Sequence, residues 1–329
     1  MKNFNAFVVR ESNGQIVSKI EQVNEEFLSK GEVLIKVHYS SINYKDMLAT
    51  QNKGGVIRTY PMIPGIDLSG EVVESTDSNY HKGQPVLVTG FGTGVTHTGG
   101  FSEYVRVPAS WIIPLPSNFS LKDAMIYGTA GLTAALSIQA LEKNGLNNQL
   151  DHSILVTGAT GGVGSIALQI LAKIGYKNII ALVRKENQLD IARNLGATEV
   201  ILLSDFKFEK KPLSKQTFHY ILDTVGGDLV ANLLPYVFYQ GSVSLCGNVG
   251  GIKLNSTVLP FILRGVNLLG IDSVNISYED RVEIWNKLSK EWNVTNSTLV
   301  NEIPFEEIPS TISLLKNGTH LGRSIVKIS

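Results

Sequence analysis

The sequence predicts an α/β protein with two domains, one rich in β-strands and one built on a doubly wound parallel sheet. Residues 1–125 are short apolar runs separated by glycine and proline, residues 126–267 alternate apolar strands with helices, and residues 268–329 again contain strand-like runs. The chain has 329 residues and is 43% apolar. It is longer than the roughly 250–300 residues that one core usually supports, which favours two domains.

The β-rich domain is predicted from short segments with turn-like GlyGly and ProGly pairs between them. The tail adds a strand candidate at Leu268–Ile271, an amphipathic helix near Tyr278–Trp292 and a closing strand at Ser324–Ile328. We therefore predict that residues 1–125 and 268–329 form one domain, into which residues 126–267 are inserted. The strands expected in the first part are Ala6–Val9, Glu32–His38, Gly70–Glu74, Pro85–Thr89 and Tyr104–Val107.

The inserted domain is predicted from strands that alternate with helices, a pattern typical of a parallel sheet covered on both faces. Helices are expected over Val163–Ile174 and Glu186–Leu195. The expected strands are Ile154–Thr157, Ile179–Val183, Glu199–Leu202, Tyr220–Asp223 and Ser242–Cys246.

The most specific local motif is the glycine-rich run Gly158-Ala-Thr-Gly161-Gly-Val-Gly164 between a predicted strand and a predicted helix. Free N–H groups and the positive dipole end of a helix attract a pyrophosphate, and glycine lets the backbone approach it. The alternative is a tight turn without a ligand, but three glycines in this context are costly unless close approach is needed. The predicted dinucleotide contacts are Gly158, Thr160, Gly161, Gly162, Val163 and Gly164.

The end of the second strand of this domain predicts which nicotinamide cofactor is bound. An acidic residue roughly 20 residues after the glycine run would bind the ribose 2′-hydroxyl of NAD, but here Val183 is followed by Arg184 and Lys185. Two cations suit a 2′-phosphate, so these three residues predict NADPH. Two alternatives stay open: Glu186 could contact the ribose if the strand ends later, or the charges could form a solvated surface cluster.

Composition excludes several other classes of function. Lys plus Arg and Asp plus Glu each number 29, and without a basic stripe nothing predicts binding to nucleic acid or to a membrane surface. The chain start lacks the apolar core of a signal peptide, so a cytoplasmic location is expected. Cys246 is the single cysteine, which excludes an intrachain disulfide and a cysteine-cluster metal site.

Seven motifs in order along nearly the whole chain are significant together. They are Ser40–Asp46, Tyr60–Asp67 with Gly70, Gly99–Tyr104, Ala124–Thr133, Gly158–Gly164, Asp223–Gly226 and Pro260–Val266. Together they resemble the medium-chain dehydrogenase/reductase superfamily, specifically its quinone oxidoreductase-like branch and the YhdH/YhfP group, which includes acrylyl-CoA reductases. The resemblance implies a GroES-like catalytic domain formed by both chain ends, an inserted Rossmann domain, an active site in the cleft between them, and homodimerisation through edge strands.

The positions of the zinc ligands depart from the zinc alcohol dehydrogenases of this superfamily. Asn43 stands where their cysteine would be, and Ile66 and Asp67 replace their His-Glu pair. One cysteine cannot build their four-cysteine lobe, so we expect no zinc. His97 is a candidate residual ligand or proton relay, although a single loop histidine is more often solvated or locally hydrogen-bonded.

Without zinc, alcohol oxidation is disfavoured, and an acceptor that carries its own electron-withdrawing carbonyl is favoured. Asn43 and Tyr44 are the predicted catalytic donors, and the resemblance implies that Tyr44 also contacts the cofactor. Solvent is the alternative proton donor.

Lys45, Arg58 and Arg264 could bind the phosphates of coenzyme A or be surface charges. The resemblance further implies cofactor contacts for Thr129, Thr133, Gly247, Asn248, Ser273 and Arg323.

These observations predict a zinc-independent, NADPH-dependent oxidoreductase that reduces an activated C=C bond, with a short enoyl-CoA such as acrylyl-CoA as the expected substrate. A quinone or enone reductase is the second enzymatic hypothesis. A protein that binds NADPH without turnover is the hypothesis from another class.

Overall fold

The computed structural model describes residues 3–148, 150–296 and 298–329. The chain divides into two compact units: unit 1 comprises Met1–Thr129, Val274–Ser289 and Val300–Ser329, and unit 2 comprises Ala130–Ser273 and Lys290–Leu299. The predicted domain ranges also contain residues 1, 2, 149 and 297, which lie outside the described residues. The exact domain boundaries stay a prediction.

Strands and helices alternate along the middle of the chain, and strands dominate its first third. The strands are β1 Phe4–Ser12, β2 Gln15–Val23, β3 Val33–Ile42, β4 Asp67–Ser75, β5 Pro85–Thr89, β6 Tyr104–Val107, β7 Ile113–Pro114, β8 Ser153–Thr157, β9 Asn178–Val183, β10 Glu199–Leu202, β11 Phe218–Asp223, β12 Val237–Leu245, β13 Asn267–Gly270, β14 Val300–Pro304 and β15 Arg323–Lys327. The α-helices are α1 Tyr44–Ala49, α2 Leu121–Lys143, α3 Gly162–Ile174, α4 Leu189–Asn194, α5 Gly227–Leu233, α6 Leu259–Arg264, α7 Tyr278–Ser289 and α8 Ile308–Lys316.

Unit 1 is built on a sheet in which distant parts of the chain are neighbours. Its strand order is β14-β15-β3-β4-β5-β7, and β6 also pairs with β3. The antiparallel register sets Ser324 of β15 opposite Ile42 of β3, and Thr89 of β5 opposite Asp67 of β4. The last strand of the chain therefore lies beside the end of β3, where the predicted catalytic residues begin.

Unit 2 contains a parallel sheet of order β10-β9-β8-β11-β12-β13. From β8 the chain adds β9 and β10 on one side and then returns to add β11 on the other. This reversal of strand order between β8 and β11 is the point where open parallel sheets bind ligands, outside the carboxyl ends of the strands. α3 follows β8 and is almost entirely buried from Gly164 to Leu171.

Two of the predicted segments differ from the expectation, and β2, β14, α2 and α8 lie outside the predicted elements. The sequence predicts that the strand at Leu268–Ile271 belongs to the tail, but β13 pairs in parallel with β12 and forms an edge of the unit 2 sheet. Leu268 packs against the apolar cluster of that sheet, which explains why an apolar run at this point joins it. The helix predicted at Glu186–Leu195 begins as a 3₁₀ turn and becomes α-helical only in α4.

Helix α2 is, within the described residues, the helix long and apolar enough to cross a membrane. Of the most apolar 18-residue stretch of α2, 89% is buried inside the protein. Gly128 also interrupts it with φ 51° and ψ −152°. A buried and broken helix is typical of a protein core.

Candidate active site

A buried carboxylate, Asp67, organises the polar residues at the start of β4 in unit 1. It is fully buried. It accepts hydrogen bonds from Ser41 Oγ at 2.6 Å, Asn43 Nδ2 at 2.7 Å, Thr129 N at 2.9 Å and Thr129 Oγ1 at 2.5 Å. Hydrogen bonds to a charged group are stronger than neutral ones, so Asp67 fixes all three neighbours.

Arg323 compensates the charge of Asp67. Its Nη2 lies 3.9 Å from Asp67 Oδ2, and its side chain is only 2% exposed. The guanidinium donates to Ile126 O at 3.0 Å, Ile42 O at 3.3 Å and Asn43 Oδ1 at 3.3 Å. Burial lowers the pKa of Arg323, while the nearby Asp67 carboxylate opposes that shift. The resemblance implies a cofactor contact for Arg323, whereas in this structure the guanidinium is engaged inside unit 1.

Gly128 closes this group of side chains. A Cβ atom at this position would lie 2.3 Å from Asp67 Oδ2, 2.6 Å from Ser41 Oγ and 2.9 Å from Arg323 Nη2. Its φ of +51° is also one that side-chain-bearing residues rarely adopt. The break in α2 therefore makes room for the buried ion pair.

Asn43, a predicted catalytic donor, has its side chain engaged within this group. Its Nδ2 donates to Asp67 and, at 3.3 Å, to Ser41 O, while its Oδ1 accepts from Arg323. Its backbone N–H donates to Asp46 Oδ2 at 2.8 Å. The geometry therefore favours a role for Asn43 in ordering the site over direct donation to a substrate.

Asp46 connects α1 to the loop before β4. Its Oδ1 accepts from the N–H groups of Gly65 and Ile66, both at 3.1 Å. Burial and then the charge of Asp67 raise the pKa of Asp46 to about 7, against the hydrogen bonds that favour its ionised form. Sequence reasoning missed this residue because nothing in its spacing shows that it is buried.

Tyr44 is the first residue of α1 and is half-buried against an apolar cluster. Among the described residues no hydrogen bond of its hydroxyl group is found. Of the two predicted catalytic residues, it is therefore the one whose donor is not committed to a protein partner.

His97 and Arg264 make local contacts instead of the roles considered for them. His97 Nε2 lies 2.7 Å from Arg106 O, its ring packs edge-on against Trp111, and burial lowers its pKa. Arg264 donates to the carbonyl oxygens of Pro235, Val237 and Ser214 at 2.6, 3.3 and 2.6 Å. A guanidinium held by three carbonyl groups is poorly placed to bind a phosphate.

In unit 2 the glycine-rich run lies at the carboxyl end of β8, where the strand order reverses. Gly161 is the N-cap of α3, and the first helical hydrogen bond runs from Ser165 N to Gly161 O at 3.0 Å. The N–H groups of Gly162, Val163 and Gly164 thus belong to the first turn, which lacks intrahelical acceptors. These are the N–H groups for which the sequence predicts a pyrophosphate as partner.

Two of these glycines are required by close packing. A Cβ on Gly164 would lie 2.4 Å from Gly158 O, and a Cβ on Gly158, whose φ is +57°, would lie 2.3 Å from Thr224 Oγ1. The nearest contact of a Cβ on Gly161 would be 3.2 Å. Gly158 and Gly164 therefore shape the loop, while a Cβ at Gly161 would require a shift of only a few tenths of an ångström.

Asp223 holds together the loops that follow β8 and β11. It is fully buried, and it accepts from Thr157 Oγ1 and Gly226 N, both at 2.7 Å. Thr157 Oγ1 in turn accepts from Thr224 N at 2.9 Å. Burial raises the pKa of Asp223. Asp223 belongs to a motif recognised in the sequence, but its bond to Thr157 depends on strand adjacency and was not predicted.

The loop that follows β12 lies against the loop that follows β11. A Cβ on Gly247 would lie 1.9 Å from the carbonyl carbon of Thr224, so the loop after β12 packs directly on the loop after β11. Cys246 donates to Asp223 O at 3.2 Å, and burial raises its pKa to about 12, as expected for an unreactive thiol.

At the end of β9, Arg184 and Lys185 are exposed and Val183 is buried. The N–H groups of Arg184 and Lys185 both donate to Gln188 Oε1 at 3.1 Å, which fixes the turn while leaving the side chains at the surface. Of the other predicted contacts in unit 2, Thr133 and Ser273 are buried, Gly247 is half-buried and Asn248 is exposed.

His320, which precedes Arg323, gives a pH-dependent prediction. Burial and then the Arg323 guanidinium lower its pKa from 6.5 to about 4. Between these values the unfolded chain binds a proton that the folded protein does not, so stability falls as the pH falls through this window. Wild type loses this stability at low pH and His320→Gln does not. We therefore expect the difference in unfolding free energy between the two proteins to shift by about 3 kcal/mol in favour of the variant when the pH falls from 7 to 4. Urea denaturation at both pH values measures this, and a difference independent of pH would contradict it.

Comparison with protein families agrees with the architecture. Residues 29–117 match the family described as "Alcohol dehydrogenase GroES-like domain", and residues 162–290 match "Zinc-binding dehydrogenase". The predicted fold class, a GroES-like β-rich domain with a Rossmann parallel-sheet domain, is thereby confirmed. Among residues 3–148, 150–296 and 298–329, no group of three or more His, Cys, Asp or Glu side chains is arranged to hold a metal ion.

Two curated relatives align with nearly the whole chain. "Putative quinone oxidoreductase YhfP" of Bacillus subtilis (strain 168) is 44% identical over 328 residues, covering 99% of both chains. "Probable acrylyl-CoA reductase AcuI" of Escherichia coli (strain K12) is 41% identical over 325 residues, covering 98% of this chain and 99% of the relative.

Two crystal structures have the same fold. The Salmonella enterica YhdH oxidoreductase in complex with NADP superposes with a TM-score of 0.94 at 40% identity, covering 99% of this chain and 100% of the other. Bacillus subtilis YhfP with NAD bound gives a TM-score of 0.95 at 43% identity, covering 100% of both chains. The chain is an oxidoreductase that belongs to the medium-chain dehydrogenase/reductase superfamily, in the quinone oxidoreductase-like YhdH/YhfP group.

Proposed function

We propose that this oxidoreductase uses NADPH, without zinc, to reduce an activated C=C bond, and that its substrate is a short enoyl-CoA such as acrylyl-CoA. The observation that carries the proposal is the glycine-rich loop Gly158–Gly164 at the carboxyl end of β8, called the cradle below. The backbone is tightly packed at Gly158 and Gly164, and the N-terminus of α3 begins beside them. A helix N-terminus with N–H groups that lack intrahelical acceptors suits a pyrophosphate.

The residues of unit 2 fit a dinucleotide. The first turn of α3 would bind the pyrophosphate, and Arg184 and Lys185 would bind a 2′-phosphate, with Val183 beside them. When bound, the reduced nicotinamide supplies a hydride. The solved relatives differ here, since the Salmonella YhdH structure holds NADP and the Bacillus YhfP structure holds NAD. Further proposed cofactor contacts are Tyr44, Thr129, Thr133, Thr160, Gly161, Gly247, Asn248 and Ser273.

An acceptor activated by its own carbonyl needs a hydrogen-bond donor at the oxygen that gains charge. Tyr44 is proposed for this role because its hydroxyl is not engaged among the described residues. Asn43 is kept in the proposal as a residue that orders the site through Asp67 and Arg323. A proton can reach the product from Tyr44 or from solvent.

The substrate class is tested by incubating the protein with NADPH and, separately, acrylyl-CoA, crotonyl-CoA and a small quinone, while the reduced-nicotinamide absorbance is followed. Consumption only with enoyl-CoA supports the proposal. Consumption only with the quinone favours the second candidate function, a quinone or enone reductase. The Bacillus relative carries the name of a quinone oxidoreductase, which supports this candidate. Tight NADPH binding without turnover on any acceptor favours a non-catalytic binding protein.

The cofactor choice is tested by the double variant Arg184→Ala/Lys185→Ala. We expect KM for NADPH to rise roughly 10- to 100-fold because two charge-assisted contacts to the phosphate are lost, while KM for NADH changes little. Lys210→Ala/Lys215→Ala, which removes two exposed cations elsewhere in unit 2, is the control and is expected to leave the NADPH preference intact. Equal effects on both cofactors, or an unaltered KM for NADPH, would contradict the assignment.

We also propose a homodimer in the cytoplasm. β13 is an edge strand, and exposed apolar side chains lie in the segments before it, a combination that favours pairing with a second copy. Analytical ultracentrifugation tests this: a monomer at micromolar concentration would contradict it. The exposed side chains are Val249, Ile252, Leu254, Val258, Ile262 and Leu263.

A further inference from the structure

A groove on unit 1, outside the site described above, begins where α1 ends. It is an open groove of about 330 Å³ between the turn of the β1–β2 hairpin and the segment that follows α1. Ile16, Ile57 and Tyr60 supply its apolar lining and belong to one hydrophobic cluster. The groove therefore offers a surface against which a flat, partly apolar group could pack.

Hydrogen bonds hold the two walls of the groove together. Asn52 Oδ1 accepts from Ile16 N at 2.7 Å, and Asn52 Nδ2 donates to Gln15 Oε1 at 2.6 Å. Val9 and Met62 exchange backbone hydrogen bonds of 2.8 and 2.9 Å, which fix the end of the segment to β1. The groove is thus a built feature of the fold.

The groove carries two cations that are not neutralised. Lys53 and Arg58 line it, are exposed, and take part in none of the ion pairs found among the described residues. By contrast, Arg10 and Lys19 on the same hairpin both pair with Glu21. Glu11 is the carboxylate in the lining, so the groove has a net positive charge.

Two cations, side-chain amides and an aromatic ring are the groups that bind a phosphorylated nucleotide. We propose that the groove binds the nucleotide end of the acyl-CoA substrate, with Lys53 and Arg58 on its phosphates and Tyr60 against its base. This inference rests on the proposed function and adds Lys53 and Tyr60 to Arg58 as residues that recognise the coenzyme A tail.

The position of the groove suits that role. Gln51 at its near end follows Tyr44 by seven residues, and six of the residues from Tyr44 onward form α1. At 1.5 Å per helical residue the separation is on the order of 10 Å. The pantetheine arm of coenzyme A spans a longer distance, so a thioester at Tyr44 can place its nucleotide in the groove.

The first test compares two thioesters of the same acyl group, acrylyl-CoA and the acrylyl thioester of N-acetylcysteamine, which lacks phosphates. In the double variant Lys53→Gln/Arg58→Gln we expect KM for acrylyl-CoA to rise roughly tenfold, while kcat stays within about twofold of wild type. KM and kcat for the short thioester should not change. Glu11→Gln should lower KM for acrylyl-CoA. The control Lys30→Gln/Lys82→Gln removes two exposed cations outside the groove and should have no effect. Equal changes with both thioesters, or no change with either, would overturn the proposal.

A second test separates failure of this inference from failure of the proposed function. Adenosine 3′,5′-bisphosphate is titrated calorimetrically into protein saturated with NADP⁺, which blocks the cofactor site. Binding that weakens roughly tenfold in the groove variant supports the assignment even if neither thioester is reduced. Absence of binding at millimolar ligand, or equal binding by the variant, overturns it whatever the enzyme assay shows.

Discussion

Replacing Asp67 by asparagine is expected to lower the unfolding free energy by about 3–5 kcal/mol, because it leaves the Arg323 guanidinium buried without its counter-charge. The same change replaces one acceptor oxygen by a donor and so releases some of the donors that Asp67 fixes, among them Asn43 and Thr129. Displaced groups in an active site can cost on the order of 100-fold in rate. Urea denaturation and kcat/KM with NADPH and acrylyl-CoA measure the two effects.

Glu71→Gln is the matched control, since Glu71 lies on the same strand and is exposed. It should change neither quantity appreciably. Asp67→Asn combined with Arg323→Met removes both charges, and it should regain part of the stability without regaining activity. A melting transition of Asp67→Asn equal to that of wild type would show that the buried pair does not organise this site.

Gly164→Ala is expected to weaken NADPH binding by roughly 100-fold, because the new methyl group would lie 2.4 Å from Gly158 O and must displace the first turn of α3. The loop whose N–H groups would bind the pyrophosphate then loses its shape. Fluorescence titration with NADPH measures the affinity, and thermal unfolding measures the accompanying loss of stability.

Gly161→Ala separates packing from cofactor approach. Its φ is −81°, and its added methyl would lie 3.2 Å from Gly158 O, a tight contact that a shift of a few tenths of an ångström relieves, so we expect a smaller loss of stability than in Gly164→Ala. Weaker NADPH binding by this variant then reports a ligand close to the backbone. Unaltered affinity in both glycine variants would contradict the assignment of the cradle.

The parts of the protein that the sequence predicted are those set by neighbours along the chain. A strand, a glycine turn and a helix within Ser153–Ile174 form the cradle from local geometry alone. The exposed pair Arg184 and Lys185 likewise follows its strand directly. Such segments carry their own conformational signals, so their type and position could be predicted.

The buried group around Asp67 could not be predicted in the same way. Arg323 reaches Asn43 across 280 positions of sequence, and the register of β15 on β3 makes this contact. The resemblance implies a cofactor contact for Arg323, and residue type shows its charge but not the buried groups that engage it here. The same limit explains Arg264, whose charge is taken up by three carbonyl groups.

The most direct test of the central claim is to follow the hydride. The protein is incubated with acrylyl-CoA and NADPH deuterated at nicotinamide C4, in separate reactions for each face, and the thioester product is analysed by mass spectrometry. Our account predicts propionyl-CoA with one deuterium at carbon 3 from one face only. Propionyl-CoA without deuterium in both reactions, or no reduced thioester while a quinone is reduced, would contradict it.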